Sequence, residues 1–308
     1  MSVTPPPAAD EQQVDERTTA PETGRRRKPR RRGKLFSNVA LLLLCLFWLL
    51  PTFGLLISSF REEDLVKTTG WWTVFANIGD FGQWTLDNYT EVLQAGMANA
   101  FLNSIAVTVP AVVIPILAAA FAAYAFSWMR FPGRNILFIV VIGLLVVPLQ
   151  VAFIPLLRFY SVLGLTGTFA AVWLAHTGFG MPLAVYLLRN YMGSLPSEII
   201  ESAQVDGASH YQIFWRLMIP LSTPVLAAFA ILQFLWVWND FLIALIFLGS
   251  TEANQVVQLT LANLVGSRGQ DWHLLTAGAF ITISVPLLVF FTLQRYFVRG
   301  LTAGSVKG

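Results

Sequence analysis

Glu201-Ser-Ala-Gln-Val-Asp-Gly207, nine further residues, and then Leu217-Met-Ile-Pro220 form the centre of a polar insert, residues 189–223, between two long apolar runs. Two membrane spans can be joined by a few residues, so a connector of this size implies a docking surface for a soluble partner. Local chemistry predicts two short helices within it. Leu195-Pro196-Ser197 offers a turn followed by an N-cap, and Glu198 to Asp206 then reads as a helix. Gly207 stands where a helix C-terminus takes a left-handed residue at no steric cost. Ser209 with Gln212 three residues on matches a capping box, opening a second helix that runs through Leu217 and stops at Pro220. Glu198 and Glu201 share a face open to a cationic partner, leaving Ile199, Ile200 and Ala203 for the membrane or neighbouring helices.

Composition places this insert in a membrane protein. The 308 residues are 56% hydrophobic and 12% charged, against about 25% charged in an ordinary soluble domain. The formal charge of +3 is unevenly distributed: residues 1–34 hold nine Lys/Arg and five Asp/Glu, and the rest holds eleven and twelve. Basicity therefore belongs to a tail whose block Arg25-Arg-Arg-Lys-Pro-Arg-Arg-Arg32 reads as a topology signal touching anionic lipid, and nucleic acid is not an expected partner. The tail, residues 1–34, has almost no large apolar side chains and is expected to be disordered. The single cysteine, Cys45, lies in an apolar run, so neither an intrachain disulfide nor a Cys-based metal site is expected. The first apolar stretch is too long for a signal peptide and reads as a retained anchor.

Six segments have the length and apolarity of a spanning helix: Leu35–Ser59, Asn103–Ser127, Asn135–Leu157, Thr168–Leu188, Pro224–Phe247 and Thr276–Phe297. Lys and Arg gather on one side: the tail, Arg130 and Arg134, Arg189 and Arg216, and Arg295, Arg299 and Lys307. The opposite loops carry only Arg61, Lys67, Arg158 and Arg268, diluted by six acids in residues 62–91. Both termini and the insert are therefore expected in the cytoplasm, on the side where ATP is. Outside, residues 60–100 carry Trp71, Trp72, Trp84 and Tyr89, with Leu86-Asp-Asn-Tyr89 resembling a helix start, and residues 248–275 read as a polar loop.

A plain amphipathic connector lying against headgroups would be equally polar. The order of residues argues for more. The insert resembles the EAA loop of permease subunits of bacterial ABC importers, whose motif runs Glu-Ala-Ala, three residues, Gly, nine residues, Ile-x-Leu-Pro. Glu201, Ala203, Gly207 and Pro220 match, while Ser202, Leu217 and Ile219 are conservative departures. The six spans, the aromatic first outside loop and the ending Gln294-Arg-Tyr-Phe-Val-Arg-Gly-Leu-Thr-Ala-Gly-Ser-Val-Lys-Gly308 resemble the MalG-like carbohydrate permeases. Val146-Val-Pro-Leu-Gln150, Trp173-Leu-Ala-His176-Thr-Gly-Phe-Gly180 and Trp236-Val-Trp-Asn-Asp240 are similar to an α-glucoside branch. The resemblance implies an all-α polytopic membrane protein of six transmembrane helices with type I ABC importer permease architecture over residues 35–308. It implies a multi-pass protein of the bacterial inner membrane that imports an oligosaccharide, an α-glucoside such as maltose, trehalose or sucrose. It also implies a second permease subunit forming a heterodimer, two ATPase subunits and an extracytoplasmic sugar-binding protein. ATPase coupling would fall on Glu201, Ala203, Asp206, Gly207 and Pro220. Residues 254–270 would reach toward the binding protein, and the C-terminal tail toward the ATPase interface. No Gly-x4-Gly-Lys-Ser/Thr loop is present, so ATP and Mg are expected in the partner and no cofactor in this chain.

Cargo chemistry points elsewhere in the sequence. Trp236 and Trp238 offer apolar faces, and Asn239 and Asp240 offer hydrogen bonds, the pairing that sugars need; Gln150 is a further amide in a span. The bland reading is interfacial Trp anchoring and bundle packing. His176 and Asp240 are the only ionisable residues expected inside the spans, with His176 read as a satisfied bundle residue. The competing function is an ion-coupled secondary carrier using Asp240 and His176 as a proton relay. No metal-ligand set, nucleophile–base pair or acidic dyad supports an enzyme within the spans. Pro110, Pro115, Pro148, Pro155, Gly178, Gly180 and Pro182 are expected to interrupt the spans.

Overall fold

A computed structural model of the chain describes residues 31–249, 251–265 and 271–303. The chain divides into two compact units, Met1–Leu50 and Pro51–Gly308. Among the described residues the first unit is helix, the beginning of α1 (Arg31–Ser59). Its helix starts inside the basic block, and residues 1–30, the rest of the tail, lie outside the described residues. Leu41 to Leu44, Phe47 and Trp48 are all exposed, so this stretch is apolar on its outer surface, as a lipid-facing helix must be.

The second unit continues with α2 (Glu63–Thr68), α3 (Asp87–Val92), α4 (Ala98–Trp128), α5 (Arg134–Gly143), α6 (Leu149–Val162) and α7 (Phe169–Met192). The insert supplies α8 (Ser197–Val205), α9 (His210–Ile213) and α10 (Ile219–Leu221). It is followed by α11 (Thr223–Trp238), α12 (Leu242–Leu248), α13 (Val257–Val265) and α14 (Trp272–Ala303). Among the described residues, four helical stretches are long and apolar enough to cross a membrane, or six if each of two bent pairs is one span.

One bent pair has the interruption expected at Pro148, while the expected span Pro224–Phe247 is corrected at its far end. Arg134–Val146 and Leu149–Val162 meet at 104°, at the Val147-Pro148 step. Pro148 has φ −62° and ψ 127° and donates no N–H, so the helix must restart after it. His210–Leu221 and Thr223–Trp238 meet at 73°, with Ser222 at the bend. The expected span Pro224–Phe247 ends early: α11 stops at Trp238, and Asn239 to Phe241 separate it from α12. Hydropathy integrates side chains and cannot see such a backbone break.

Pro110, Pro115, Pro155 and Pro182 lie inside helices and do not break them. In α4 the reason is visible. A proline at position i frees the carbonyl at i−4. Pro110 frees Ala106, whose carbonyl accepts from Trp173 Nε1 of α7 at 3.1 Å. Pro115 frees Ala111, whose carbonyl accepts from Gln233 Nε2 of α11 at 3.2 Å. Neighbouring helices thus complete the hydrogen bonding that the prolines remove, as a membrane interior requires.

Alanines line the contact between α4 and α7. Ala111, Ala119, Ala120 and Ala123 on one and Ala171, Ala175 and Ala184 on the other are buried, allowing close approach where lipid provides no hydrophobic drive. Gly180 of α7 fits the same logic: a Cβ there would lie 2.7 Å from Gln233 Oε1. Gly180→Ala is therefore expected to displace Gln233 from Ala111 O and from His176 O, which it reaches at 3.4 Å. Leaving buried polar groups unpaired costs about 1–3 kcal/mol. A lowered thermal midpoint of the purified chain would show it, and an unchanged midpoint would mean that Gln233 is dispensable.

The segments expected on the outer side are folded rather than loose. Arg61 is buried and donates to Gly70 O at 3.0 Å and to Thr69 and Thr73 Oγ1 at 3.1 and 3.2 Å. Burial lowers its pKa from the ordinary arginine value. Asn88 ties the start of α3 to the end of α1 through Ser59 O and Arg61 O. The expected polar loop 248–275 contains α13, with Val256, Val257 and Leu259 buried. Its approach is pinned by Asn103 Nδ2 to Ala253 O and Gln255 O, and by Val257 N to Ser104 Oγ. Arg268 and residues 304–308 lie outside the described residues.

Candidate coupling surface and solute path

The insert folds as two short helices around Gly207. Ser197 is the first residue of α8 and not its N-cap: Pro196 occupies the cap position, with no side-chain bond. Ile200 is the one fully buried residue of α8, Ala203 is half-buried, and Glu198, Glu201 and Asp206 are exposed. At the other end, Gly207 N bonds Gln204 O and Ala208 N bonds Ala203 O, both at 3.0 Å, and Gly207 has φ +79°. This pair of bonds is the Schellman closure that a left-handed residue permits. The capping box is also present: Gln212 N donates to Ser209 Oγ at 3.3 Å, and Ser209 N to Gln212 Oε1 at 2.9 Å.

Gly207 has open space where a Cβ would point, so its requirement is backbone geometry alone. Gly207→Ala should destabilise the insert by about 1–2 kcal/mol, the cost of a left-handed L-residue, and Gly207→Asn by less. Hydrogen exchange of residues 197–213 measures this. Equal protection in Gly, Asn and Ala forms would show that the left-handed turn is not required.

Pro220 does not stop the second helix. A π-turn over Phe214–Met218 widens the path, α10 carries on through Pro220 to Leu221, and the chain bends at Ser222. The widened turn seats Phe214, 2% exposed, on Phe121 of α4, with rings stacked at 4.3 Å. Tyr124 meets Phe214 edge-on at 5.6 Å, and its hydroxyl bonds His210 Nδ1 at 2.8 Å. Ile200, Ile213 and Met218 join the same cluster with Leu188 and Met192 of α7. The insert therefore has an apolar underside welded to α4 and α7 and an outer face carrying Glu198, Glu201 and Asp206.

The second candidate region is partly assembled. Trp236, half-buried, meets the His176 ring edge-on at 4.9 Å, and His176 Nε2 lies 3.8 Å from Asp240 Oδ2. Asp240 sits at the break after α11 and accepts from Ala244 N at 3.0 Å, capping α12. Asn239 is exposed and folds back on Leu235 O at 2.8 Å. Trp238 is 2% exposed, stacked near Phe234 and edge-on to Phe101, with Nε1 donating to Thr282 O. It is thus a packing residue in this conformation and offers no face to a solute. Gln150 is exposed on the first turn of α6 and makes no side-chain hydrogen bond among the described residues.

His176 differs from its expected state. It is 1% exposed, yet neither ring nitrogen has a hydrogen-bond partner, and Thr177 Oγ1 is likewise unpaired. Gln233, the bridge between three helices, was visible in the sequence only as an amide in a span. Its role depends on Pro115 leaving the Ala111 carbonyl without a donor, a pattern read only once α4 and α11 are paired in space.

The sequence pattern of the family described as "Binding-protein-dependent transport system inner membrane component" matches residues 111–303. The chain is 60% identical to the osmoprotective compounds uptake permease protein GgtD of Synechocystis sp., over 89% of this chain and 92% of that protein. It is 45% identical to the alpha-glucoside transport system permease protein AglG of Rhizobium meliloti, over 88% of this chain and 96% of that protein. Among solved structures, a bacterial ABC transporter involved in import of the acidic polysaccharide alginate has a chain with TM-score 0.64 and 23% identity, covering 87% of this chain and 98% of that one. That likeness concerns the fold.

Proposed function

We infer the function from a firm premise: this chain belongs to the family of binding-protein-dependent transport system inner membrane components. It is a multi-pass inner-membrane permease subunit of an ABC sugar importer. The finer reading is an importer of a neutral α-glucoside in bacteria. Relatives named for alpha-glucosides and for osmoprotective compounds support it, because a neutral sugar such as trehalose or sucrose satisfies both descriptions.

The observation that carries the mechanism is the insert's division into a welded underside and an exposed acidic face. A partner ATPase docks on that face, with Glu201 meeting a cation and Gly207 setting the angle between α8 and α9. Ala203 and Pro220 belong to the frame that holds it, and Asp206 to its exposed edge. Because the underside grips α4 and α7 directly, movement of the ATPase pulls on the bundle. ATP and Mg are bound by that partner. The termini and the insert lie in the cytoplasm, a second, different permease chain completes the path, and an extracytoplasmic sugar-binding protein delivers the solute. Trp236, Asn239 and Asp240 line the path at the break between α11 and α12, and Gln150 at the break before α6.

Uptake of labelled trehalose, maltose and sucrose by membranes holding the full set of subunits tests this reading. ATP-dependent accumulation of one of them is expected, and preference for a peptide or an ion would remove the carbohydrate assignment. The competing reading is a proton relay between His176 and Asp240, but the pair is 3.8 Å apart with no hydrogen bond between them, so the geometry does not complete one. Family membership argues against ion coupling, and uptake driven by a proton gradient without nucleotide would restore it.

A further inference from the structure

The short connection between α4 and α5 comes to lie beside α8, leaving a cleft of about 700 Å³. Trp128, Arg130, Arg134, Glu201, Gln204 and His210 line it. Its donors are largely unspent. Arg130 is exposed and makes no hydrogen bond or ion pair among the described residues. Arg134 is half-buried and commits only Nη1, to Met129 O at 3.1 Å, leaving most of its five N–H groups free. Trp128 Nε1 is buried with no acceptor. His210 spends Nδ1 on Tyr124 and keeps Nε2. Glu201 forms no ion pair with either arginine, although all three share the cleft.

We propose that this cleft binds a phosphate group. Two guanidinium groups against one carboxylate leave a net positive charge, and Trp128, whose indole N–H has no acceptor, stands in the cleft wall. A tetrahedral oxyanion accepts several N–H bonds from a concave surface at once, which matches two arginines with most of their forked donors uncommitted. An acidic side chain of a docked protein would satisfy one arginine but must enter a recess set back between two elements. Arg130 and Arg134 stand at the ends of apolar helices, the level at which lipid headgroups lie, so the phosphate has two sources: an anionic lipid or a soluble phosphate. The proposal stands on the cleft's own chemistry, independently of which sugar is carried.

The full-length chain in detergent tests it, as wild type, as Arg130→Gln/Arg134→Gln and as Trp128→Phe. Native mass spectrometry counts retained phosphatidylglycerol against phosphatidylcholine, and equilibrium dialysis measures inorganic phosphate. One saturable occupant per wild-type chain is expected. The double variant should lose at least ~10-fold in affinity, the scale of one charge-assisted bond, and Trp128→Phe should lose less, with thermal midpoints unchanged. Selective loss of phosphatidylglycerol binding assigns the site to lipid, and selective loss of phosphate binding assigns it to a soluble ligand. The proposal is overturned if the wild type binds neither probe or if both variants bind as it does. It also fails if the double variant loses a co-purifying ATPase while its binding of both probes is unchanged.

Discussion

Glu201→Ala is expected to reduce ATP-driven sugar uptake about 30-fold or more while leaving the chain folded and inserted. The magnitude is that of an interface residue worth about 2 kcal/mol. The separation of effects follows from position: Glu201 is exposed and holds no intrachain ion pair, so its loss should change stability by less than about 0.5 kcal/mol. Glu198→Ala, on the same exposed face one turn earlier, should cost less uptake than Glu201→Ala if the contact is centred on Glu201. Transport by Glu201→Ala at the wild-type rate, with equal amounts in the membrane, would remove the coupling role.

Phe214→Ala should act through the opposite face. The ring is buried, stacked at 4.3 Å on Phe121 and edge-on to Tyr124, so truncation empties the joint between the insert and α4. Core Phe→Ala changes cost about 3–5 kcal/mol, enough to undock a short insert that has few other buried rings. Loss of hydrogen-exchange protection across residues 197–221 and a lower thermal midpoint should accompany lost uptake, and Phe214→Leu should recover much of both. Full uptake with an unprotected insert would show that the grip on α4 does not transmit the ATPase's movement. The two variants therefore separate docking from transmission.

What the sequence made legible was local. Gly207, Ser209 and Gln212 act on neighbours three or four residues away, so their turn and cap could be read directly, and the apolar runs gave the helical bundle. What it hid depends on partners distant in the chain. Pro110 and Pro115 look like breakers until Trp173 and Gln233 take up the carbonyls they free. Pro220 looks like a stop because the π-turn that carries the helix past it is set by seating Phe214 on Phe121. Trp236 and Trp238 are two residues apart and point differently: one meets His176, the other fills the core beside Phe101. For His176 the expectation of a satisfied imidazole differs from the structure, since pairing rests on an Asp240 that sits at an unforeseen helix end.

The 104° break at Val147-Pro148 has a consequence for biogenesis. Arg134–Val146 and Leu149–Val162 are separate half-helices of roughly 20 Å each at 1.5 Å per residue, against a hydrocarbon core of about 30 Å. Neither half is a self-sufficient insertion signal. As the chain leaves the ribosome, this region is expected to gain a stable place in the membrane only once α7, which packs against its first half, has emerged. Truncations ending before Phe169 should then leave it membrane-peripheral or degraded, and those ending after Met192 should not. The bend is thus a commitment point in assembly, with the later helix deciding the fate of the earlier one.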